Sequence, residues 1–295
     1  MQLHLKVPAS TANLGPGYDR LGLALALAFE VRAQPAADWQ LVHRGEGADQ
    51  LPTDTKNLVA ATYLDICHHK GWPATPLTIE SQNQVPCGLG LGSSSTAVIA
   101  GIVLAFLSHG KAFSKDDVFQ IAADLEGHPD NVGPAIFGGL QDCWHEPGHW
   151  RADRQPIHPD LLLALAIPQE PASTKVMRGL LPASYSPEDE ERTAKAITTL
   201  LSGLAKGEAA ALEASQWDVK HQPYRFPALP ESAKYYAAFQ REPAIAGAFL
   251  SGAGPTVAGW FFKRDRPAIE RLGERMGKDL LVLEPDHQGT HWQKH

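Results

Sequence analysis

Hydrophobic residues recur along the chain with two different periods. Leu3, Leu5 and Val7 alternate with more polar residues, a spacing of two that is typical of a half-buried strand. A mostly apolar run over residues 21–31 predicts a second strand or strand pair, although its leucine and alanine content leaves a helix open. Strand and helix patterns alternate in both halves of the chain, with a predicted domain boundary near residues 150–160.

Other elements follow from the same patterns and from helix-capping residues. Asn57 can cap a helix over residues 57–71, and Ser114 begins a helix with two aspartates in its first turn, where the helix dipole favours them. The remaining predicted helices cover residues 97–110, 188–206, 209–220, 231–242 and 266–278, and the remaining predicted strands lie at 77–81, within 136–168, around Phe249, at 256–262 and at 280–283. The polar C-terminal tail with His291 and His295 predicts a frayed end.

Charge is divided unevenly along the chain. Its 295 residues carry a formal net charge of −7, and residues 1–150 hold 8 basic and 15 acidic side chains against 18 of each in the remainder. Such a surface disfavours a non-specific nucleic-acid binder, which gains affinity from Lys and Arg on phosphates. No stretch approaches the roughly 20 apolar residues of a membrane-spanning helix, and the three cysteines lack C-x-x-C spacing. We therefore expect a cytoplasmic globular protein without nucleic-acid or membrane partners.

The most distinctive segment is the glycine-rich run PCGLGLGSSST from Pro86 to Thr96, which precedes an apolar helix pattern. Glycines let the backbone approach an anion, and the free N–H groups at a helix start hold phosphate oxygens without any basic side chain. The run lacks the Gly-Lys-Ser/Thr of a Walker A loop, and its third glycine comes one residue early for a dinucleotide-binding fingerprint. A phosphate-binding loop is favoured, with a structural turn that caps a core helix as the alternative.

Two further segments carry residue types suited to the same chemistry. In the run EGHPDN from Glu126 to Asn131, two carboxylates flank a His-Pro turn and can converge on one Mg²⁺ ion, although a solvated turn is the alternative. In the run LSGAGPT over residues 250–256, small residues precede a predicted strand. That composition suits a close approach to another loop or to a ligand, and equally a tight turn.

The order of these segments resembles the GHMP kinase superfamily, and within it the homoserine kinase family. Residues 8–19 (PASTANLGPGYD) are similar to the first family motif, residues 86–96 to the phosphate-binding second motif and residues 250–256 to the third. The resemblance implies an α+β GHMP kinase fold. Its N-terminal ATP-binding domain, residues 1–155, would be like domain 2 of ribosomal protein S5, and its C-terminal domain, residues 156–295, would be ferredoxin-like, with ATP and substrate between them.

The resemblance also implies a reaction and a set of residues. The reaction is direct transfer of the γ-phosphoryl group of ATP to the hydroxyl of L-homoserine, a step of threonine biosynthesis. Asp130 and Asn131 would be catalytic, with Asp130 orienting or deprotonating the hydroxyl, and Mg²⁺ would be held by Ser94 and Glu126. The residues implied for ATP binding are Pro86, Cys87, Gly88, Leu89, Gly90, Leu91, Gly92, Ser93, Ser94, Ser95 and Thr96. Those implied for the substrate are Asn13, Asp19, His128 and Asp130 near its amino and hydroxyl groups, and Thr174, Arg178 and Arg225 near its carboxylate.

The two arginines suit a carboxylate, because a guanidinium donates paired, charge-assisted hydrogen bonds. Tyr18 departs from the phenylalanine usual in the family, so its hydroxyl needs a partner or solvent. A homodimer is a family-level expectation. Two alternatives stay open: another small-molecule GHMP kinase of the mevalonate type, and a non-catalytic nucleotide-binding sensor that would bind ATP without releasing ADP.

Overall fold

Two β-sheets organise the chain, and the computed structural model describes residues 2–294. The strands are β1 (Leu3–Ala12), β2 (Leu21–Pro35), β3 (Gln40–Gly45), β4 (Leu77–Asn83), β5 (Leu140–Glu146), β6 (His149–Gln155), β7 (Leu161–Ala166), β8 (Gly247–Leu250), β9 (Val257–Phe262), β10 (Leu281–Leu283) and β11 (His291–Lys294). The first sheet has the order β11-β1-β2-β4-β3, with β5 pairing both β2 and β6, and the second has the order β10-β7-β9-β8. The pairing is antiparallel except between β3 and β4.

Helices cover the sheets and carry the loops that form the site. They are α1 (Leu58–Lys70), α2 (Ser93–Ser108), α3 (Lys115–Glu126), α4 (Val132–Phe137), α5 (Thr174–Gly179), α6 (Pro187–Lys206), α7 (Ala209–Leu212), α8 (Gln222–Arg225), α9 (Pro230–Gln240) and α10 (Arg266–Met276). Strands and helices in this mixture confirm the predicted α+β class. The domain limits at residue 155 stay a prediction.

Helix α2 is the central helix of the first half. It is buried on nearly every side over residues 95–107, which explains why its sequence is apolar all round instead of amphipathic. At Gly101 a Cβ would lie 2.7 Å from the carbonyl oxygen of Val59 in α1, so glycine permits the two helices to approach closely. This packing fixes the position of the α2 N-terminus, which follows the glycine-rich run directly.

The predicted helix starts at Asn57 and Ser114 are confirmed by their hydrogen bonds. The Asn57 side chain accepts from the N–H of Val59, and Ser114 and Asp117 form a capping box in which each side chain bonds the other's backbone N–H. Each cap satisfies backbone groups that would otherwise remain unpaired at the start of a helix.

Two predictions from the sequence are wrong. Residues 209–220 do not form one helix, because α7 ends at Leu212 and a 3₁₀ turn follows over Glu213–Gln216. The Ser215 carbonyl there lies so close to Gly15 that a Cβ on Gly15 would be 1.9 Å from it, and this contact overrides the helical composition. The tail over residues 291–294 is not frayed, since it forms β11 on the edge of β1, whereas His295 lies outside the described residues.

Within residues 2–294, no helix combines the length and the apolar character that a membrane crossing requires. The three cysteines are free thiols; Cys67 and Cys143 are buried as expected of small hydrophobic residues, whereas Cys87 is only partly buried.

Candidate active site

A cavity of about 320 Å³ lies where the loops of the two sheets meet. Its walls are the glycine-rich run before α2, the turn after α3, the loop after β1, the start of α5, Arg225 of α8 and the small-residue loop after β8. Segments that are far apart in the chain, including all those with candidate chemistry, therefore converge on one cavity.

Three glycines of the glycine-rich run adopt backbone conformations that other residues rarely take. Gly88, Gly90 and Gly92 have φ values of 71°, 79° and 73°. At Gly90 a Cβ would lie 2.5 Å from the carbonyl oxygen of Ser251, and at Gly92 it would lie 2.2 Å from the hydroxyl of Ser10. The loop requires glycine both for its backbone angles and for the space around it.

The carbonyl groups of this loop are held by donors from the surrounding protein. Ser251 Oγ donates to Gly90 O at 2.6 Å, and Thr256 Oγ1 donates to Leu89 O at 2.6 Å. The N–H groups of Ala172 and Ser10 donate to Gly88 O and Leu91 O, at 3.1 and 3.2 Å. This confirms that the small-residue loop over residues 250–256 approaches another loop closely.

The anchored carbonyls determine where the loop's N–H groups point. The C=O and N–H of one trans peptide unit face opposite ways, so the N–H groups of residues 89–92 point away from the anchors. Among residues 2–294 these four N–H groups have no hydrogen-bond acceptor. Those of Gly90 and Gly92, which line the cavity, form together with the free N–H groups of the first turn of α2 a site suited to phosphate oxygens.

Glu126 at the end of α3 faces the first turn of α2. Its carboxylate accepts hydrogen bonds from Ser94 Oγ and from Ser95 Oγ, each at 3.1 Å. No cluster of three or more metal-ligating His, Cys, Asp or Glu side chains occurs in the part of the chain that the structure describes. The oxygen set nevertheless fits Mg²⁺, which commonly uses one or two carboxylates and takes further oxygens from a nucleotide and water.

The turn after α3 places a buried ion pair beside these groups. His128 Nδ1 donates to Asp130 Oδ1 at 2.7 Å, and Asp130 is 3% exposed. Burial opposes charge on both groups, but their mutual hydrogen bond and attraction prevail, so the pKa of His128 is raised and that of Asp130 is lowered. Asp130 is thereby held as a carboxylate.

Asn131 follows Asp130 and is oriented by β1. Its Oδ1 accepts a hydrogen bond from Ser10 Oγ at 2.9 Å, so its amide nitrogen is turned to the other side. That Nδ2 group has no acceptor among residues 2–294, and the side chain lines the cavity. Asn131 therefore presents a free donor beside the Asp130 carboxylate.

The loop after β1 has an unusual backbone. Asn13, Leu14 and Asp19 have positive φ values of 70°, 49° and 54°, a conformation that costs roughly 1–2 kcal/mol for a residue with a Cβ. Full burial of Leu14 and a bond from Asn13 Nδ2 to Gly252 O at 3.0 Å offset this cost. Backbone strain of this kind is concentrated where a site must be held in one geometry.

Arg178 of α5 is bound by this same loop. It donates to both carboxylate oxygens of Asp19, at 2.9 and 2.5 Å, and to the Tyr18 hydroxyl at 2.9 Å. The hydroxyl that distinguishes Tyr18 from phenylalanine thus has a partner. Burial and the neighbouring Asp19 raise the pKa of Tyr18, so the hydroxyl remains neutral and can accept this bond.

Arg225 of α8 also lies beside the Tyr18 ring. The guanidinium carbons of Arg225 and Arg178 are 5.3 and 5.5 Å from the ring centroid, so the aromatic ring lies close to both cations. Arg225 is 2% exposed, and its Nη1 donates to Gly252 O at 2.9 Å. Its Nε has no hydrogen-bond partner, which leaves donor capacity for an anion.

Comparisons with known proteins match both halves of the chain. The family model for the GHMP kinase N-terminal domain matches residues 57–139, and the model for the C-terminal region matches residues 200–280. A homoserine kinase of Moorella thermoacetica is 37% identical over 283 residues, covering 95% of each chain, and one of Lactiplantibacillus plantarum is 38% identical, covering 99% of each. The chain belongs to the GHMP kinase family.

The GHMP kinase fold is confirmed by solved structures as well. Homoserine kinase from Cytophaga hutchinsonii has a TM-score of 0.83 over 99% of this chain and 97% of its own, at 22% identity. At that identity the likeness concerns the fold alone.

The cavity contains most, but not all, of the residues predicted for this GHMP kinase site. Those that line it are Asn13, Asp19, Gly88, Gly90, Gly92, Ser93, Ser94, Ser95, Glu126, His128, Asp130, Asn131, Thr174, Arg178 and Arg225. Pro86, Cys87, Leu89, Leu91 and Thr96 do not line it. Leu91 and Thr96 are buried, and Thr96 donates to Ser93 O, so these residues shape the loop from behind. The assigned roles remain predictions.

Several lining residues were missed from the predicted site. The sequence marks Tyr18 only as a departure from the family, and it indicates no role toward substrate or ATP for Leu125, Ala172 and residues 252–254. The third motif could have indicated residues 252–254, because its glycines imply a close approach. Leu125 and Ala172 carry no chemistry that a sequence reveals.

Proposed function

We propose that this protein is a homoserine kinase, which transfers the γ-phosphoryl group of ATP to the side-chain hydroxyl of L-homoserine. The observation that carries the proposal is the convergence, in one cavity, of an anion-binding loop with Asp19, Arg178 and Arg225. An α-amino acid bears an ammonium and a carboxylate on one carbon, so it requires an acidic and a basic partner side by side. Asp19 and Arg178, already in contact, provide that pair.

ATP binds with its phosphates on the loop from Gly88 to Ser95. The N–H groups of Gly90 and Gly92 and those of the first turn of α2 hold the phosphate oxygens. Ser94 and Glu126 hold Mg²⁺, which supplies neutralisation of phosphate charge when it is bound. The phosphate charge needs such neutralisation because the loop contains no lysine or arginine and lies in the acidic first half of the chain.

Homoserine binds with its carboxylate on Arg225 and Arg178 and its ammonium on Asp19. Thr174 and Asn13 line the same cavity. Its hydroxyl donates a hydrogen bond to Asp130, whose Oδ1 is occupied by His128 and whose second oxygen is available. The free amide nitrogen of Asn131 donates to the γ-phosphate. The hydroxyl oxygen forms a bond to phosphorus as the bond to the bridging oxygen of ADP breaks, and Asp130 takes the hydroxyl proton.

Because the transition state of phosphoryl transfer is loose, positioning and charge neutralisation contribute most of the catalysis. The lowered pKa of Asp130 makes it a weak base, which agrees with a mainly positioning role. On family likeness alone we also propose that the protein is a homodimer located in the cytoplasm. Size-exclusion chromatography with light scattering tests the oligomeric state, and cell fractionation tests the location.

A coupled ADP-release assay across homoserine, mevalonate and galactose tests the proposal. ADP release with homoserine alone is expected, since mevalonate has no ammonium for Asp19 and galactose has neither charged group. Faster turnover of mevalonate would identify a different GHMP kinase. ATP binding without ADP release on any of the three would identify a nucleotide-binding sensor.

Alanine variants of the two arginines test the carboxylate site. Arg178→Ala and Arg225→Ala each remove charge-assisted hydrogen bonds worth roughly 1.5–3 kcal/mol, so the KM for homoserine should rise about 10- to 100-fold. The KM for ATP should stay within about twofold. Arg151→Ala is the matched control, because Arg151 pairs with Glu146 on the exposed β5–β6 hairpin. A dominant loss of ATP binding in either variant would contradict the assignment.

A further inference from the structure

His221 immediately precedes α8 and is completely buried, at 0% exposure. It is not among the residues that line the cavity, and the reaction described above does not use it. A buried imidazole requires partners for both ring nitrogens. Those partners are Gly15, in the loop after β1, and Arg225, in the wall of the cavity.

The partners determine which ring nitrogen carries the proton. Nε2 lies 2.8 Å from the carbonyl oxygen of Gly15, which can only accept, so Nε2 donates. Nδ1 lies 3.2 Å from Arg225 Nη1, which can only donate, so Nδ1 accepts. The imidazole is therefore neutral, with its proton on Nε2. Burial lowers the pKa of His221, and Arg225 lowers it further against the opposing charges of Asp218 and Asp19, which maintains this form.

The contact with His221 completes the hydrogen bonds of one end of the Arg225 guanidinium, Nη1. Nη1 has two protons, and its two acceptors are Gly252 O at 2.9 Å and His221 Nδ1 at 3.2 Å. The opposite edge, Nε with Nη2, has no partner among residues 2–294. That edge has the geometry that binds both oxygens of a carboxylate. Arg225 lines the cavity, and because Nη1 is held by these two acceptors, the Nε–Nη2 edge is the part of the guanidinium left for a ligand.

His221 is in turn held by a buried carboxylate. Asp218 Oδ2 accepts the backbone N–H groups of His221 and Gln222, at 3.1 and 2.6 Å, and its Oδ1 accepts that of Lys220 at 2.8 Å. His221 and Arg225 are four residues apart, so both side chains lie on one face of the single turn of α8. The Tyr18 ring stacks on the imidazole at 5.6 Å between centroids, which prevents it from rotating away.

We infer that His221 is a positioning residue for substrate recognition: its neutral imidazole links Gly15 of the first motif to Arg225 and aligns the free edge of that guanidinium for the substrate carboxylate. The inference rests on the proposed function, because it assumes that Arg225 binds a carboxylate. It adds a determinant of substrate specificity that does not itself touch the substrate.

Two substitutions separate the two hydrogen bonds of His221. His221→Asn retains an acceptor near the Nδ1 position, and His221→Gln retains a donor near the Nε2 position. We expect His221→Gln to raise the KM for homoserine about tenfold, with kcat and the KM for ATP changed less than twofold. His221→Asn should restore most of the homoserine affinity. Thermal unfolding of each variant verifies that it is folded.

A substrate without the carboxylate distinguishes positioning from general damage. 3-Aminopropan-1-ol is homoserine without that group, and the ratio of the two kcat/KM values measures what the carboxylate contributes. The ratio should fall about tenfold in His221→Gln. When His221→Gln is introduced into Arg225→Met, it should lower the ratio further by less than twofold. Equal losses on both substrates, or additive effects in the cycle, would overturn the inference.

The same measurements separate this inference from the function that it assumes. If Arg225→Met keeps the preference for homoserine, the proposed carboxylate site is wrong. If Arg225→Met loses the preference and His221→Gln keeps it, only the role of His221 is wrong. Should the His221 variants not fold, Asp218→Asn is the second variant. It weakens the hydrogen bonds that hold this turn and removes a charge 3.5 Å from His221 Nε2, while the imidazole itself is retained. It should lower the same ratio by a smaller factor, and an unchanged ratio would then reject the role.

Discussion

Replacing Gly90 with alanine perturbs the contact on which the phosphate loop depends. Gly90 has a φ of 79°, and a Cβ there would lie 2.5 Å from Ser251 O and 2.8 Å from Gly254 O. Ordinary contact begins near 3.4 Å, so the loop and its neighbour must separate by roughly 0.9 Å. Both neighbouring atoms belong to backbone, which cannot turn aside as a side chain can.

The magnitude follows from this displacement. A shift of about 1 Å in a positioned group can cost about 100-fold in rate, which corresponds to about 2.7 kcal/mol in the barrier. The backbone angle itself costs about 1 kcal/mol of stability, and weakening the bond from Ser251 Oγ to Gly90 O adds about 1 kcal/mol. We expect kcat/KM for ATP to fall about 100-fold and Tm to fall by about 4–8 °C.

Gly110→Ala is the matched control. Gly110 also has a positive φ, of 59°, but no atom lies within 4 Å of the position its Cβ would take. This variant therefore incurs the cost of the backbone angle without the clash, and Tm should fall by about 2–4 °C with activity unchanged. Steady-state kinetics and thermal unfolding of both variants provide the comparison. Equal activities of Gly90→Ala and Gly110→Ala would refute the reasoning.

Two further predictions concern charged groups of the site. Glu126→Gln removes the carboxylate proposed for Mg²⁺, so kcat/KM for Mg·ATP should fall about 100-fold and the Mg²⁺ concentration needed for half-maximal rate should rise. Asp124→Asn, an exposed change on the same helix, is the control and should alter neither quantity. An unaltered Mg²⁺ dependence of Glu126→Gln would remove Glu126 from the metal site. The pKa of His128 is raised in the folded protein, so its pair with Asp130 stabilises the fold fully below pH 6.5, the ordinary histidine value, and less as pH rises through the folded pKa. His128→Gln should therefore lose more free energy of unfolding at pH 6 than at pH 9. The difference should be about 1.4 kcal/mol for each unit by which the pKa is raised. Denaturant unfolding at both pH values measures this, with the exposed His68→Gln as control, and a pH-independent loss would contradict the ion pair.

Much of the fold could be predicted from the sequence, because local patterns and tertiary packing agree over most elements. The Asn57 and Ser114 caps and the alternation in β1 are local signals that the structure retains. Strands β3 and β11 were missed since each is short and mostly polar, and only pairing with β4 and β1 makes them strands. Pairing of that kind is non-local and leaves no periodic pattern.

The candidate site likewise has a part that local sequence predicts and a part that depends on contacts between distant residues. Glycines and hydroxyls of the phosphate loop are adjacent in the sequence and could be identified as a unit. The contacts that join Asp19 to Arg178 and His221 to Gly15 link residues more than 150 positions apart. No spacing rule predicts such pairs, so the role of His221 required the folded structure.

The pairing of β11 with β1 has a consequence for how the chain folds during its synthesis. Leu3 lies between Ala33 of β2 on one side and Lys294 on the other, so β1 pairs on its second edge with a strand that is synthesised after all the other described strands. Until β11 has been synthesised, one edge of the apolar strand β1 has unpaired backbone groups, and such an edge promotes aggregation. Substitutions at Trp292 of β11, which stacks on Phe113 at 4.8 Å, should therefore lower the yield of folded protein more than its activity once folded.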